Sequence, residues 1–282
     1  MNSTLVRRQA IRRVLLLLSF VAFPITINYF SPYLIVEGTF QGIVNGSLIV
    51  FGSMFVGSLV LGRLWCGWMC PAAGLQEPLL RVNARRISRR VGLIKWVIWA
   101  PWVALIVLAA VRAGGYTSVQ PLYGTVGGIS VAGDADRPII AAYAIYLIVV
   151  LLFFGLAVAL GRRGGCHSVC WMAPFMITGR AVRNTVGWPS LQLTANQSAC
   201  SRCGTCTSVC PMSVDVEKRV GSGRMEDPEC VLCGTCVDAC PNHVIHFTFR
   251  SGRAAPDRAG QPAGLPSAEQ AHQADSQKVE ST

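Results

Sequence analysis

Four long runs of apolar residues fill the first 160 positions of the chain, and no such run follows them. They cover about Val14–Phe30, Ile43–Trp65, Leu93–Val111 and Pro138–Leu160. Each has the ~17–25 residue length of a helix that crosses a bilayer, and charges inside them are almost absent. The pattern then changes. Residues 196–250 are polar and rich in cysteine. Residues 251–282 are rich in Ala, Gly, Pro, Gln and Ser, without periodicity or an aromatic side chain, and read as a disordered tail. The expected division is a four-helix transmembrane domain over 1–195, a cysteine-rich domain over 196–250 and the tail.

Composition agrees with a membrane chain: 52% of the residues are hydrophobic and 14% charged. The charge of +11 lies in the first domain, where 17 Lys and Arg face 4 Asp and Glu. Arg7, Arg8, Arg12 and Arg13 precede the first run. Arg81, Arg85, Arg86, Arg89, Arg90 and Lys95 lie between the second and third, and Arg162, Arg163, Arg180 and Arg183 follow the fourth. The loop 31–42 has no Lys or Arg. The positive-inside rule then puts both ends of the chain in the cytoplasm. A nucleic-acid partner is not expected, because no basic patch falls on a soluble domain. A cleaved signal peptide is not expected either, since no small-x-small site follows the first run.

The cysteines carry the chemistry. Cys200-x2-Cys203-x2-Cys206-x3-Cys210-Pro211 recurs thirty residues later as Cys230-x2-Cys233-x2-Cys236-x3-Cys240-Pro241. This is the spacing of bacterial paired [4Fe–4S] clusters, in which the last Cys of each run ligates the other cluster. Cys200, Cys203, Cys206 and Cys240 are then expected to hold one cluster, and Cys230, Cys233, Cys236 and Cys210 the second. Gly204-Thr205 and Gly234-Thr235 keep the same offset, and glycine lets the backbone turn tightly toward the sulfides. Zinc sites take cysteines in pairs, which leaves the third Cys of each run unexplained. Tight spacing and a reducing compartment oppose disulfides. The stretch resembles the bacterial-type two-cluster ferredoxin domain, which is α+β.

Four cysteines remain. Cys66/Cys70 and Cys166/Cys170 form two Cys-x3-Cys motifs one hundred residues apart, each at the inner end of an even-numbered apolar run. Arg63 and Arg163 share the offset. The motifs suggest two copies of a helical hairpin, and their thiols are candidates for redox dithiols, for one shared metal, or for contact with the ferredoxin domain; the plainer reading is small apolar packing. His167 is a candidate ligand or an interfacial polar residue. Trp65, Trp68, Trp96, Trp99, Trp102, Tyr143 and Tyr146 read as an interfacial belt or as the flank of a quinone. Glu77 reads as an exposed interfacial carboxylate or as a proton relay. Arg81–Lys95 reads as a basic amphipathic helix on anionic lipid, or as a dock for an acidic partner.

Trp65-Cys66-Gly67-Trp68-Met69-Cys70-Pro71, the second Cys-x3-Cys, the four apolar runs and the double cysteine run together resemble the NapH/NosR family of membrane polyferredoxins. The second motif departs from the family pattern, because its proline falls at Pro174. The resemblance implies a multi-pass protein of the bacterial inner membrane. It implies an electron-transfer subunit of a quinol-dehydrogenase or reductase system, relaying electrons between the quinone pool or a periplasmic reductase and cytoplasmic [4Fe–4S] clusters. Redox partner proteins and a quinone follow from the same resemblance. The alternative is a maturation or regulatory protein that reduces or assembles a metal for another enzyme.

Overall fold

The computed structural model describes residues 3–132 and 138–251, with side chains from Arg7 onward. The expected disordered tail lies outside the described residues, except that Ser251 ends a strand. The helices are α1 (Ser3–Val21), α2 (Phe23–Thr26), α3 (Pro32–Phe40), α4 (Gly46–Leu61), α5 (Leu64–Trp68), α6 (Pro71–Gln76), α7 (Ile94–Arg112), α8 (Ile139–Leu160), α9 (Gly164–Ser168), α10 (Ala173–Val186), α11 (Thr205–Ser208), α12 (Val216–Gly221) and α13 (Thr235–Asp238). The strands are β1 (Ile43–Asn45), β2 (Ser118–Gln120), β3 (Pro189–Ala195) and β4 (Ile245–Ser251).

Two of the four apolar runs form unbroken helices long and apolar enough to cross a membrane, Val91–Arg112 and Ile139–Leu160. The first run is bent by 58° between Arg7–Val21 and Phe23–Phe30. Pro24 sits in the first turn of α2, lacks the N–H that would continue α1, and makes the break. The second run holds only the sixteen-residue α4. Its start is fixed by Asn45, whose side chain accepts from Leu48 N at 2.9 Å. Its end is fixed by Gly62, at φ 58°.

β3 and β4 pair antiparallel from Pro189↔Ser251 to Ala195↔Ile245. The two-cluster unit therefore begins at Pro189, seven residues before the expected boundary at 196, because its first strand carries no cysteine to mark it. α11 and α13 are the single helical turns after Gly204 and Gly234. The unit is not held at a distance: Cys66, Cys166 and Met176 share one buried core with Leu193, Met212, Val231 and Ile245. Helix α10 lies along α4, and at their closest approach Gly179 leaves room for Phe55 and Ser58.

Arg81–Lys95 is not a helix. Ile94 and Lys95 open α7, and before them two short 3-10 turns flank a stretch without regular secondary structure. Its donors reach the cysteine-rich unit instead: Arg86 Nη2 donates to Ser213 O at 3.2 Å, and Ile87 N to Ser213 Oγ at 3.1 Å. Three of the tryptophans also pack in one aromatic cluster. Trp96, Trp99, Phe175, Trp102 and Phe51 make successive ring contacts at 5.3–5.9 Å, locking α7, α10 and α4 together.

Candidate iron–sulfur sites and the thiol junction

Each cysteine run folds as a loop of strained backbone. Arg202, Gly204 and Ser213 have φ of 54°, 73° and 55°, and thirty residues on Leu232, Gly234 and His243 have 52°, 75° and 48°. A left-handed non-glycine residue costs about 1–2 kcal/mol. The same cost at matching positions of both runs marks a backbone bent for a ligand rather than for packing. Thr205 and Thr235 each place Oγ1 3.4 Å from a thiol, that of Cys203 and Cys233.

The fold gathers the cysteines across the repeats. Cys200, Cys203, Cys206 and Cys240 line one cavity, closed by Val220, Val244 and Ile245. Cys210, Cys230, Cys233 and Cys236 line a second, closed by Leu193, Met212, Val214 and Val216. Four converging sulfurs in an apolar shell suit a cubane cluster. Among the described residues no three His, Cys, Asp or Glu close round a single metal ion. Burial pushes the Cys210 thiol up to about 12 and Cys230 to about 11, so metal binding must drive their deprotonation. In the first set Cys203 is exposed and Cys200 half-buried, with Cys206 and Cys240 buried; in the second Cys230 is half-buried and Cys210, Cys233 and Cys236 are buried. The first site thus faces solvent and the second faces the helices. Cys240→Ser is expected to empty the first site and Cys210→Ser the second, each lowering iron by about four atoms per chain. Iron analysis with EPR of each variant checks it, and a loss that followed the run of origin would reverse the assignment.

The other four thiols also meet. Cys66 (in α5), Cys70 (before α6), Cys166 (in α9) and Cys170 (before α10) are at most 8% exposed. A thiolate at Cys66, Cys166 or Cys170 would oppose ionisation of Cys70, and one at Cys166 or Cys66 that of Cys170. Met69 and Cys70 both donate to Trp65 O, as Val169 and Cys170 donate to Gly165 O, all at 2.9–3.1 Å. The two motifs are one backbone device used twice. Pro174 falls in the first turn of α10, so the displaced proline still opens the following helix. Gln76 Nε2 donates to Cys166 Sγ at 3.2 Å. Cys66 Sγ lies 3.7 Å from Met176 Sδ. Burial raises Cys70, Cys166 and Cys170, the last to about 12. These are not the low-pKa, accessible thiols of dithiol exchange.

The second cluster site is docked on this thiol set. Gly67 packs against the Val231 carbonyl and the Cys233 backbone. Trp68 Nε1 donates to Leu232 O at 3.1 Å, Gln9 Nε2 to Cys233 O at 3.1 Å and Arg180 Nη1 to Cys230 O at 3.0 Å. Three acids just before Cys230 are held by the basic residues of the helical part. Glu226 pairs with Arg180 (2.5 Å) and Arg183 (2.6 Å), Asp227 with Arg89 (2.9 Å), and Glu229 with Arg63 (3.1 Å) and Lys95. Much of the basic excess therefore meets the chain's own acids. Glu226, Asp227, Glu229 and Gln76 carry no local signal for these roles, since the partners they meet across the junction lie far along the chain.

Glu77 is not an exposed carboxylate. It pairs with Arg12 and with Arg163 (2.5 Å) at 13% side-chain exposure. Burial opposes its ionisation, but Arg163 and then Arg12 outweigh burial and hold it at about 2. A carboxyl whose pKa falls on folding stabilises the fold fully above its unfolded value, about 4.5, and loses that contribution as the pH falls toward about 2. The contribution is about 3 kcal/mol. Thermal unfolding in detergent is therefore expected to be insensitive to this pair from pH 8 to 5 and to weaken below about 4.5 in the wild type, with Glu77→Gln removing that step. His167 is buried, and burial lowers it to about 4, so it is neutral at pH 7. Its Nε2 has no partner.

Two sets of four cysteines, each lining one cavity and joined to apolar helices, define an iron–sulfur protein of the ferredoxin-type electron-transport class. Residues 199–245 match the family model described as a 4Fe-4S dicluster domain, and residues 46–92 match one described as a 4Fe-4S binding domain. The chain is homologous to the methylamine utilization ferredoxin-type protein MauN of Methylorubrum extorquens, at 26% identity over 64% of this chain and 59% of that protein. MauN of Methylobacillus flagellatus is 25% identical over 64% and 60%. The putative electron transport protein YccM of Escherichia coli is 24% identical over 70% and 55%. The matched region thus spans less than two thirds of each relative. No solved structure matches.

Proposed function

We propose that this protein is a multi-pass protein of the bacterial inner membrane that relays electrons between the quinone pool, or a periplasmic reductase system fed by it, and the cysteine-rich domain on the cytoplasmic side. The NapH/NosR-like layout, four spans with both ends inside, is part of this reading. Two apolar helices and the bent α1–α2 segment support the membrane placement; the arginine distribution supports the orientation. The eight cysteines would hold two [4Fe–4S] clusters in the crossed sets above, each supplying a one-electron centre when bound.

The observation that carries the quinone half is a cavity of about 340 Å³ where the helices meet the cysteine-rich unit. Trp96, Leu93 and Ile177 give it apolar walls, and His167 gives it a buried imidazole whose Nε2 has no hydrogen-bond partner. Its size and lining suit a ring with a polar edge. Met212 and Val214 line both this cavity and the Cys210 site, so one layer of side chains separates them. The neutral His167 can accept a hydrogen bond from a hydroquinone hydroxyl or donate one to a quinone carbonyl. A maturation role would need thiols that a partner protein can reach, and the four remaining thiols are buried.

Full-length protein, purified without oxygen and placed in proteoliposomes, is expected to lose its visible cluster absorbance when a quinol is added. His167→Ala should slow that reduction about tenfold, the equivalent of one lost hydrogen bond of ~1.4 kcal/mol, with iron content unchanged. Wild-type clusters that ignore quinols of suitable potential would sink the reading.

A further inference from the structure

We propose that Cys66, Cys70, Cys166 and Cys170 together hold a third iron–sulfur cluster, placed between the second ferredoxin site and the apolar helices. The family match over residues 46–92 contains only Cys66 and Cys70, half of a four-thiolate set. The fold supplies the other half from a motif one hundred residues on. α6 packs on α8 and α9, Gln76 of α6 accepts from Gly165 N at 2.9 Å and donates to Cys166, and Arg163 Nη1 donates to Cys66 O at 3.1 Å. These bonds cross from one motif to the other and fix both pairs in one place.

Charge provides the second, independent observation. Two buried ion networks flank the thiols. Arg63 and Lys95 share the single carboxylate Glu229, and Arg12 and Arg163 share the single carboxylate Glu77. All four cations are at most 2% exposed at the side chain. Each network is left with one uncompensated positive charge. Burying unmatched charge costs several kcal/mol per ion. Arg163 bonds the Cys66 carbonyl, and thiolates at Cys66 and Cys170 would attract Arg63, as one at Cys166 would attract Arg163. Four neutral thiols cannot balance two cations. An oxidised [4Fe–4S] or [2Fe–2S] core bound by four thiolates is a dianion and does. Arg163 also faces Cys233 of the second ferredoxin site, and Gly67 brings the Cys66 backbone against that loop. The inference does not depend on the quinone reading.

The test is iron and acid-labile sulfide per chain in full-length protein purified without oxygen, with EPR of the reduced sample. The wild type is expected to hold about twelve iron atoms if the third cluster is a cubane, or about ten if it has two irons, against about eight for two ferredoxin clusters. Cys66→Ser combined with Cys166→Ser should remove four or two of them and leave the signals of the ferredoxin sites in place. A wild-type count of eight iron, bound zinc in place of the extra iron, or an iron count unchanged in the double variant would each overturn the proposal. The wild-type count needs no variant to fold.

Discussion

Glu229→Gln loosens the cysteine-rich unit from the helices, at a cost of about 3 kcal/mol, the lower end for breaking a buried pair because Glu229 keeps 19% side-chain exposure. The glutamine keeps the shape and loses the charge. Arg63 and Lys95, at 1% and 0% side-chain exposure, then lose the one carboxylate that they share. The loop that carries Glu229 runs directly into Cys230, so the loss falls first on the second ferredoxin site. Arg89→Ala is the contrasting change. It breaks the pair with Asp227 at 2.9 Å, but Arg89 is 74% exposed and Asp227 keeps Arg219 at 2.6 Å. Its expected cost is about 0–1 kcal/mol. Thermal unfolding in detergent and limited proteolysis at the junction should show a clear drop for Glu229→Gln and almost none for Arg89→Ala. Equal effects would mean that burial at this junction does not set the strength of its ion pairs.

The cysteine runs were legible because cluster ligation is local in sequence: three ligands fall within seven residues, and the glycine that bends the loop keeps its offset. The same repeat predicts the crossing of Cys210 and Cys240, which the iron content of Cys210→Ser and Cys240→Ser tests. The apolar runs told where helices are, but a hydropathy window is blind to their ends. It saw neither Pro24 breaking the first run, nor the Asn45 cap and Gly62 stop that leave α4 at sixteen residues. The Arg81–Lys95 pattern suggested a helix because its charges and apolar residues alternate plausibly. Tertiary pairing with Ser213 and Asp227 holds it in an irregular path instead. Glu77 stood out as a rare acid, yet its two arginines lie 65 and 86 positions away, beyond any local signal. The meeting of the two Cys-x3-Cys motifs was open for the same reason.

Gly67→Ala separates the thiol junction from the second ferredoxin site, and it does so by one methyl group. A Cβ at this position would overlap the Val231 carbonyl oxygen and lie 3.3 Å from the Cys233 N and Cα. Both neighbours are backbone in a loop that is already strained at Leu232, so neither can swing aside as a side chain would. Overpacking of this kind costs about 1–3 kcal/mol. The same substitution at Gly52 of α4 meets nothing within 4 Å, and alanine there is neutral or stabilising by up to about 1 kcal/mol. The pair of variants therefore holds helix propensity and added volume constant and changes only what the methyl touches. Gly67→Ala should unfold at lower temperature and lose iron from the Cys210/Cys230/Cys233/Cys236 site before the Cys200 site, because only the former is pressed on this backbone. If Gly67→Ala matched Gly52→Ala in stability and iron, the loop would not rest on α5, and the contact that joins the two cysteine sets would have to lie elsewhere.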